Sequence, residues 1–353
     1  MSYRISFCTV CMNRTEHLKI TLPQNIADNL DYGNIEFVLL NYNSSDDMHE
    51  WVFSTLGKYL EKGILKYYHT ISPEYFQMSH SKNMAFRLAQ GDILCGMDAD
   101  NFAGKGFAAY VNEQYTHNNQ VFMMPPPIGP EKKRWDVQGR ICVYRDDFYT
   151  LRGYDERVKE YGYEDKDFKQ RLLALGREKV VIRDEAFLQA IRHDDKMRIS
   201  GGLAEKNFKQ LFICTEDIPE IIYLQDNNNF EKVQVDPALL NYDGKELLKT
   251  PIRRMYCGSY EKSGDQYLLY RKNHEKWLSL SILHNGHLRT QDQREYLPIP
   301  PGQLSENFLL QRAIYLGKKI YESNRQNRNL INPDGFGQGF VFTDDPQQTI
   351  VLD

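Results

Sequence analysis

Ile93-Leu94-Cys95-Gly96-Met97-Asp98-Ala99-Asp100-Asn101 is an apolar run that breaks off in two carboxylates one residue apart. Its length suits a buried strand, and strand alternation sends Asp98 and Asp100 to the same side at its carboxyl end. Open α/β sheets keep their ligands there. Two hard oxygen anions so placed need a cation, and a divalent metal holding a diphosphate is the commonest reason to build such a pair. A solvated acidic turn is the competing explanation, since Asp and Asn are ordinary turn residues, and the run alone does not decide between them. Just upstream, Ser79 to Asp92 reads as a helix closed by Gly91. The pair therefore stands at the tip of a strand fed by a helix.

Working outward, the same rhythm recurs. Tyr3 to Met12 is a first strand, with Asn13 and Arg14 at its carboxyl end, before a helix carrying Leu18, Ile20, Leu22 and Ile26. Ile35 to Tyr42 is a second strand, followed by the polar turn Asn43-Ser44-Ser45-Asp46-Asp47 and a helix from about Trp51 to Leu60. Ile64 to His69 is a third strand and Ile93 begins a fourth. Strand and helix alternating in this way predict a single, mostly parallel sheet with helices on both faces. Beyond the carboxylates the order loosens: a helix over Phe107–His117, a strand over Gln120–Met124, a proline-rich connection from Pro125 to Pro130 that suits a wall or lid, and a strand over Ile141–Tyr144.

Bulk properties narrow the function. The chain has 353 residues, 41% apolar and 26% charged, which is globular composition, and two domains are expected. A net charge of −4 without any local basic run argues against nucleic acid as a partner. No apolar stretch approaches the roughly 20 residues of a spanning helix, and the first residues start a strand rather than a signal peptide. A cytoplasmic chain is expected, with peripheral membrane contact left open. Six scattered cysteines make no disulfide framework, and Cys8 and Cys11 read as buried strand residues despite their CxxC spacing.

A second informative stretch is Gly153-Tyr154-Asp155-Glu156, then Glu160-Tyr161-Gly162-Tyr163-Glu164-Asp165-Lys166-Asp167-Phe168. Phe168, Leu172 and Leu175 keep helical spacing, so Glu164 and Asp165 begin a helix after a glycine-containing turn. The helix dipole favours acids there whatever the function, but it does not account for the aromatic-glycine-aromatic approach. A strand over Lys179–Ile182 precedes Ile191-Arg192-His193, where a lone histidine in a polar loop is ordinarily solvated.

Taken in order, these motifs resemble the inverting, nucleotide-sugar-dependent glycosyltransferases of the single-sheet type A (nucleotide-diphospho-sugar transferase) fold. Thr9-Val10-Cys11-Met12-Asn13-Arg14 and the Asn41 turn look like the nucleotide-binding segments of the family that includes bacterial polysaccharide synthases. From Gly153 to His193 the likeness is to the β-1,4-galactosyltransferases and chondroitin-type polymerases. It covers roughly the first 200 residues, the usual size of a domain.

The resemblance implies a role for each position. Asp100 and His193 would bind a divalent Mn2+ or Mg2+, with Asp98 on the ribose or the metal's water. Asp165 would be the base that deprotonates an acceptor hydroxyl, with Glu164 holding the acceptor. Thr9, Asn13, Arg14 and Asn41 would line the uridine pocket. Lys82 would reach the sugar or phosphate, and Lys196 or Arg198 would cover the diphosphate. The implied reaction moves galactose, N-acetylgalactosamine or N-acetylglucosamine from a UDP-sugar to a glycan, glycolipid or other hydroxyl acceptor. Departures from the pattern are Asn41 in place of an aspartate, Tyr161 in place of tryptophan, Tyr163 in place of glycine, and Ala190 where some relatives carry a metal-binding methionine. An inactive sugar- or nucleotide-binding protein would lack these carboxylates. A nucleotidyltransferase would need an early glycine-rich phosphate loop, and Thr9 to Thr15 contains no glycine.

The expected boundary lies near residue 205, with 1–205 as the catalytic domain and 206–353 as a C-terminal α+β region. There Ile221–Leu224, Gln266–Tyr270, Trp277–Leu283 and Phe340–Phe342 read as extended pieces. Glu306–Asn324 reads as an amphipathic helix, and Asn332 to Gly339 as a turn.

Overall fold

The computed structural model describes residues 2–126, 136–192, 194–216, 218–237, 240–241, 246–247, 252–327, 330–343 and 348–353. The apolar runs become β1 (Ile5–Cys11), β2 (Ile35–Tyr42), β3 (Leu65–Thr70) and β4 (Ile93–Gly96). Between them run α1 (Thr15–Asn29), α2 (Met48–Glu61) and α3 (Met78–Leu88). The four strands pair in parallel in the order β3-β2-β1-β4. Alternate residues of these strands enter two separate cores, Phe7, Leu39 and Ile93 on one face and Cys8, Val38 and Leu94 on the other. Burial on both faces is what makes the runs continuously apolar.

After β4 come β5 (Asn101–Phe102), α4 (Phe107–His117), β6 (Val121–Met124), β7 (Cys142–Tyr144), α5 (Arg145–Thr150), α6 (Glu164–Ala174), β8 (Glu178–Val181) and β9 (Gln189–Ala190). The sheet continues from β4 through β7, β6 and β8, with β7 antiparallel to both neighbours. Its other edge is made by Gly339–Phe342, antiparallel to β3, and then Thr349–Leu352. The nine-stranded sheet thus draws on both ends of the chain. One compact unit comprises residues 1–193 and 319–353, the other residues 194–318. The expected division at 205 is corrected accordingly. The last two strands are too short to announce a sheet partner more than 260 residues away.

The second unit holds a closed barrel where an α+β region was expected. Its strands are Phe208–Cys214, Glu220–Gln225, Asn229–Val235, Ile252–Ser263, Gln266–Arg271, Lys276–Ile282, Leu288–Arg289 and Glu295–Ile299, all antiparallel. Pairing of Leu211 with Ile299 and Ile213 with Leu297 closes the ring, which leaves the sheet without an edge. Phe212, Ile222, Leu224, Phe230, Leu269 and Leu280 belong to one buried cluster. Gly258 permits the close pairing with Gln266–Arg271, since a Cβ there would lie 1.9 Å from the Tyr270 carbonyl oxygen. Within this unit the first part of the helix Gln303–Asn327 packs through Phe308 on Tyr223, and Arg312 grips Glu231 at 2.6 Å. No helix among the described residues is long and apolar enough to cross a membrane. Cys8 and Cys11 are buried free thiols, as expected of strand residues.

The barrel also buries the Glu220 carboxylate. Glu220 accepts hydrogen bonds from Lys232 at 2.7 Å, Arg294 at 2.8 Å, Tyr296 at 2.6 Å and Gln234 at 3.3 Å. Burial pushes its carboxyl up, but the bonds from Lys232 and Tyr296 and the charges of Lys232 and Arg294 outweigh that and hold it below the usual range. A depressed carboxyl stabilises the fold above its unfolded value, about 4.3, and the contribution vanishes as pH falls through the lower folded value. Glu220→Ala should therefore cost about 1–3 kcal/mol in denaturant unfolding at neutral pH, because two half-buried cations and the Tyr296 hydroxyl lose their acceptor. Acid titration below pH 4 should destabilise the wild type more steeply than the variant.

Candidate functional site

β4 stops at Gly96, earlier than the sequence suggested, and Asp98 and Asp100 lie in the turn that follows rather than on the strand. The turn is closed by Asn101 N donating to Asp98 O at 2.9 Å. Helix α1 holds it from outside the sheet. Thr21 Oγ1 donates to Ala99 O at 2.6 Å, Asn25 Nδ2 to Asn101 O at 2.9 Å, and Asn25 Oδ1 accepts from Ala103 N at 2.7 Å. Asp98 sits against Gly139, where a Cβ would come within 2.6 Å of its carboxylate, so any larger residue there would displace that side chain. Asp100 is buried and accepts from Asn101 Nδ2 at 2.7 Å.

The second motif arrives through α6. Glu164 and Asp165 open that helix, and Tyr163 before them is left-handed at φ 74°. A bulky residue there costs on the order of 1–3 kcal/mol and persists only where its surroundings over-determine it. Here the Tyr163 ring lies 5.6 Å from that of Tyr321, and Lys166 Nζ stands 4.8 Å and 5.0 Å from the two centroids. Glu164 also accepts from Gly162 N at 3.1 Å, which fixes the entry of the chain.

Lys82 of α3 joins the motifs. Its Nζ lies 2.8 Å from Asp165 and 3.1 Å from Glu164, and it faces the Tyr154 ring at 5.2 Å. The helix bearing it ends at Leu88, and Gly91 is no helix cap. It is there because a Cβ would run into Ser6 and the Arg4 carbonyl. Burial pushes Asp165 up to about 8, with Lys82 pulling down and Glu164 pushing up. Burial opposes the charge on Lys82, but Asp165 and Glu164 outweigh it and hold the ammonium well above its ordinary range. Asp98 is raised too, by burial first, with Lys82 lowering it and Asp100 and Glu164 raising it.

Arg140 is a member of this group that the sequence did not single out. Fully buried, it donates from Nη2 to Phe102 O at 2.8 Å, while Nε and Nη1 have no partner. Burial lowers it to about 10 against the pull of Asp98 and Asp100. Among Lys82, Arg140, Asp98, Asp100, Glu164 and Asp165 the carboxylates outnumber the cations, and the turn offers hard oxygen donors, the chemistry a divalent ion requires. No group of three or more metal-binding side chains converges among the described residues. His193, the expected further ligand, lies outside them, as do Pro127 to Pro130 of the expected lid. The chain leading to it is near the turn, because Ala190 pairs with Asn101 and Ile191 N donates to Asp100 O at 2.8 Å.

The remaining expected residues divide. Thr9 and Asn41 are buried on β1 and β2, but Asn41 donates to Tyr67 OH at 2.9 Å and accepts from Ser44 N at 2.8 Å. Asn13, left-handed at φ 56°, accepts from Ser45 N at 2.7 Å, so both asparagines brace the polar turn after β2. Arg14 stands at the start of α1. Lys196 and Arg198 belong to the second unit, where Lys196 faces Glu306 at 3.6 Å.

The sequence matches no family model and no curated protein. Solved structures that the chain resembles include the mannosyltransferase PcManGT from Pyrobaculum calidifontis in complex with GDP-Man and Mn2+, at 17% identity and a TM-score of 0.46, over 58% of this chain and 63% of that one. S. aureus TarS 1–349 is similar at 14% identity and a TM-score of 0.42, over 51% and 58% of the two chains. Its complex with UDP-GlcNAc is similar at 12% and 0.41, over 55% and 63%. In each case the likeness spans less than two thirds of the other chain.

The Glu-Asp motif is braced from the C-terminal end of the chain. Asn324 Nδ2 donates to Asp155 at 2.8 Å and to Asp167 at 3.0 Å, while Arg157 binds Asp155 and Arg171 binds Asp167. Asn324→Ala should destabilise this unit by about 1–3 kcal/mol, since buried acceptors lose a donor. Denaturant unfolding followed by an intrinsic probe of the unit would measure it.

Proposed function

We propose that this chain is a metal-dependent, inverting glycosyltransferase of the type A fold that moves a hexose or N-acetylhexosamine from a UDP-sugar to a hydroxyl of a glycan or similar acceptor. The observation that carries this is the convergence of Asp98, Lys82, Glu164 and Asp165, from three separate motifs, beyond the carboxyl end of β4. The parallel β3-β2-β1-β4 core and the order of motifs along the chain support the same reading.

Asp98 and Asp100 would hold the divalent ion, with His193 as the further expected ligand. Bound there, such an ion would neutralise charge developing on the leaving diphosphate. Asp165 accepts the acceptor's proton as the new oxygen–carbon bond forms at the anomeric centre. The bond to the diphosphate breaks on the opposite face, and the electron pair leaves with it. One displacement gives inversion. A base whose pKa is near 8 is matched to this task at neutral pH. Glu164, next on the helix and turned about 100° away, is placed for a neighbouring acceptor group rather than the same proton. Lys82 lowers the Asp165 carboxyl from where burial and Glu164 alone would put it, which brings its ionisation toward neutral pH.

Asp165→Asn should lower turnover about a hundredfold or more while leaving nucleotide binding near normal, in line with the contribution of a general base. Calorimetry with UDP and Mn2+ alongside a transfer assay separates these effects. Near wild-type transfer, or a product whose anomeric configuration is retained, overturns the assignment. Lys82→Met removes a cation that lowers Asp165, so the rising limb of the pH–rate profile should move to higher pH.

A further inference from the structure

Lys82 and Asp98 also line a cavity of about 40 Å³. Since a water needs roughly 10–15 Å³ of such space, it has room for about three to four non-hydrogen atoms. Val10, Ala85, Phe86 and Met97 give it carbon walls. Tyr154 lines it as well, fully buried, and its hydroxyl has no hydrogen-bond partner. A buried donor in that condition is costly, and a ligand oxygen would satisfy it.

The lining discriminates among occupants. A phosphate is disfavoured, because Lys82 is the lining cation and is already shared by two carboxylates, with Asp98 beside it. A lone hydroxyl would satisfy Tyr154 but leave the carbon walls facing water. An acetamido group meets every wall. Its carbonyl oxygen would accept from Tyr154, its N–H would donate to the Asp98 carboxylate, and its methyl would lie against Val10, Phe86 and Met97.

We propose that this cavity receives the 2-acetamido group of the donor sugar, which makes N-acetylhexosamine esters the preferred donors; the inference rests on the glycosyl-transfer reading above. Galactose and glucose donors, with a hydroxyl at that carbon, leave the cavity unfilled.

Calorimetry in the presence of Mn2+ tests it with UDP, UDP-N-acetylglucosamine, UDP-N-acetylgalactosamine, UDP-glucose and UDP-galactose. At least one acetamido ester should bind about tenfold or more tighter than its matching hexose ester, from the buried methyl and the tyrosine hydrogen bond together. Ala85→Leu, which fills the cavity, should bring that ratio close to one without weakening UDP itself. Tyr154→Phe removes a single oxygen and keeps the packing. It should cost the acetamido ester several-fold and the hexose ester nothing. Equal affinities within both matched pairs in the wild type, or full discrimination in Tyr154→Phe, overturn the proposal. If neither UDP nor any ester binds, the glycosyl-transfer reading falls, and this proposal with it.

Discussion

An ammonium group between two adjacent carboxylates is the contact on which the first unit's site depends. Lys82 rides on α3, which is packed against the sheet, whereas Glu164 and Asp165 start a helix more than 80 residues later. The pairing therefore ties together two segments that are also joined farther out by Met78 N donating to Lys159 O at 2.9 Å. Desolvating two neighbouring acids is unfavourable, and only a cation at hydrogen-bonding distance makes the arrangement tolerable. The strain at Tyr163 belongs to the same construction. The chain has to reverse sharply before the helix for both acids to reach the lysine, and the Tyr321 ring helps hold the conformation that this reversal demands.

Around that contact the structure separates two tasks. Uncharged donors and acceptors shape the backbone: Thr21 and Asn25 at the Asp98 turn, Asn324 between Asp155 and Asp167, and Asn332, which donates to Arg152 O and Tyr154 O at 2.7 Å. Charged groups line the site itself, and others, such as Arg157 on Asp155 and Arg171 on Asp167, help these amides brace the frame. A neutral amide keeps its geometry without a long-range field, so the frame can be dense in hydrogen bonds without shifting the carboxylates that matter. The turn from Asn332 to Gly339 belongs to the frame. Arg87 and Arg152 bind its carbonyl groups, and Glu156 accepts from Gly337 N at 2.6 Å, so it is a structural turn of this unit.

What could be read from the sequence follows the range of the forces involved. The strands β1 to β4 were legible because burial on both faces writes itself into consecutive residues. The start of α6 was legible because a glycine turn and a helix period are local. Asp98, Asp100, Glu164 and Asp165 stood out as residue types in a telling order. Lys82 was noticed, but its contact with Glu164 and Asp165 was not, since that depends on how α3 meets α6. Arg140 carried no local signal, for nothing in Gln138-Gly139-Arg140-Ile141 says that its guanidinium is enclosed. The barrel was the largest miss. Ile252–Ser263 is rich in charged and polar residues and announces no strand of its own, because its strand character comes from pairing with Asn229–Val235 and Gln266–Arg271 on either side.

The sheet's edge strands lie at 339–352, and the segment between the two parts of its unit closes upon itself as a barrel. During synthesis the barrel's strands, contiguous from 208 to 299, have all their partners before the older sheet has its own. Residues 1–193 must wait, with the β3 edge uncovered and Asp155 and Asp167 lacking Asn324, until the ribosome has passed residue 352. The order of emergence and the order of completion are inverted in this chain. The part made before the barrel is finished after it, and over that interval its open edge is exposed to wrong pairing.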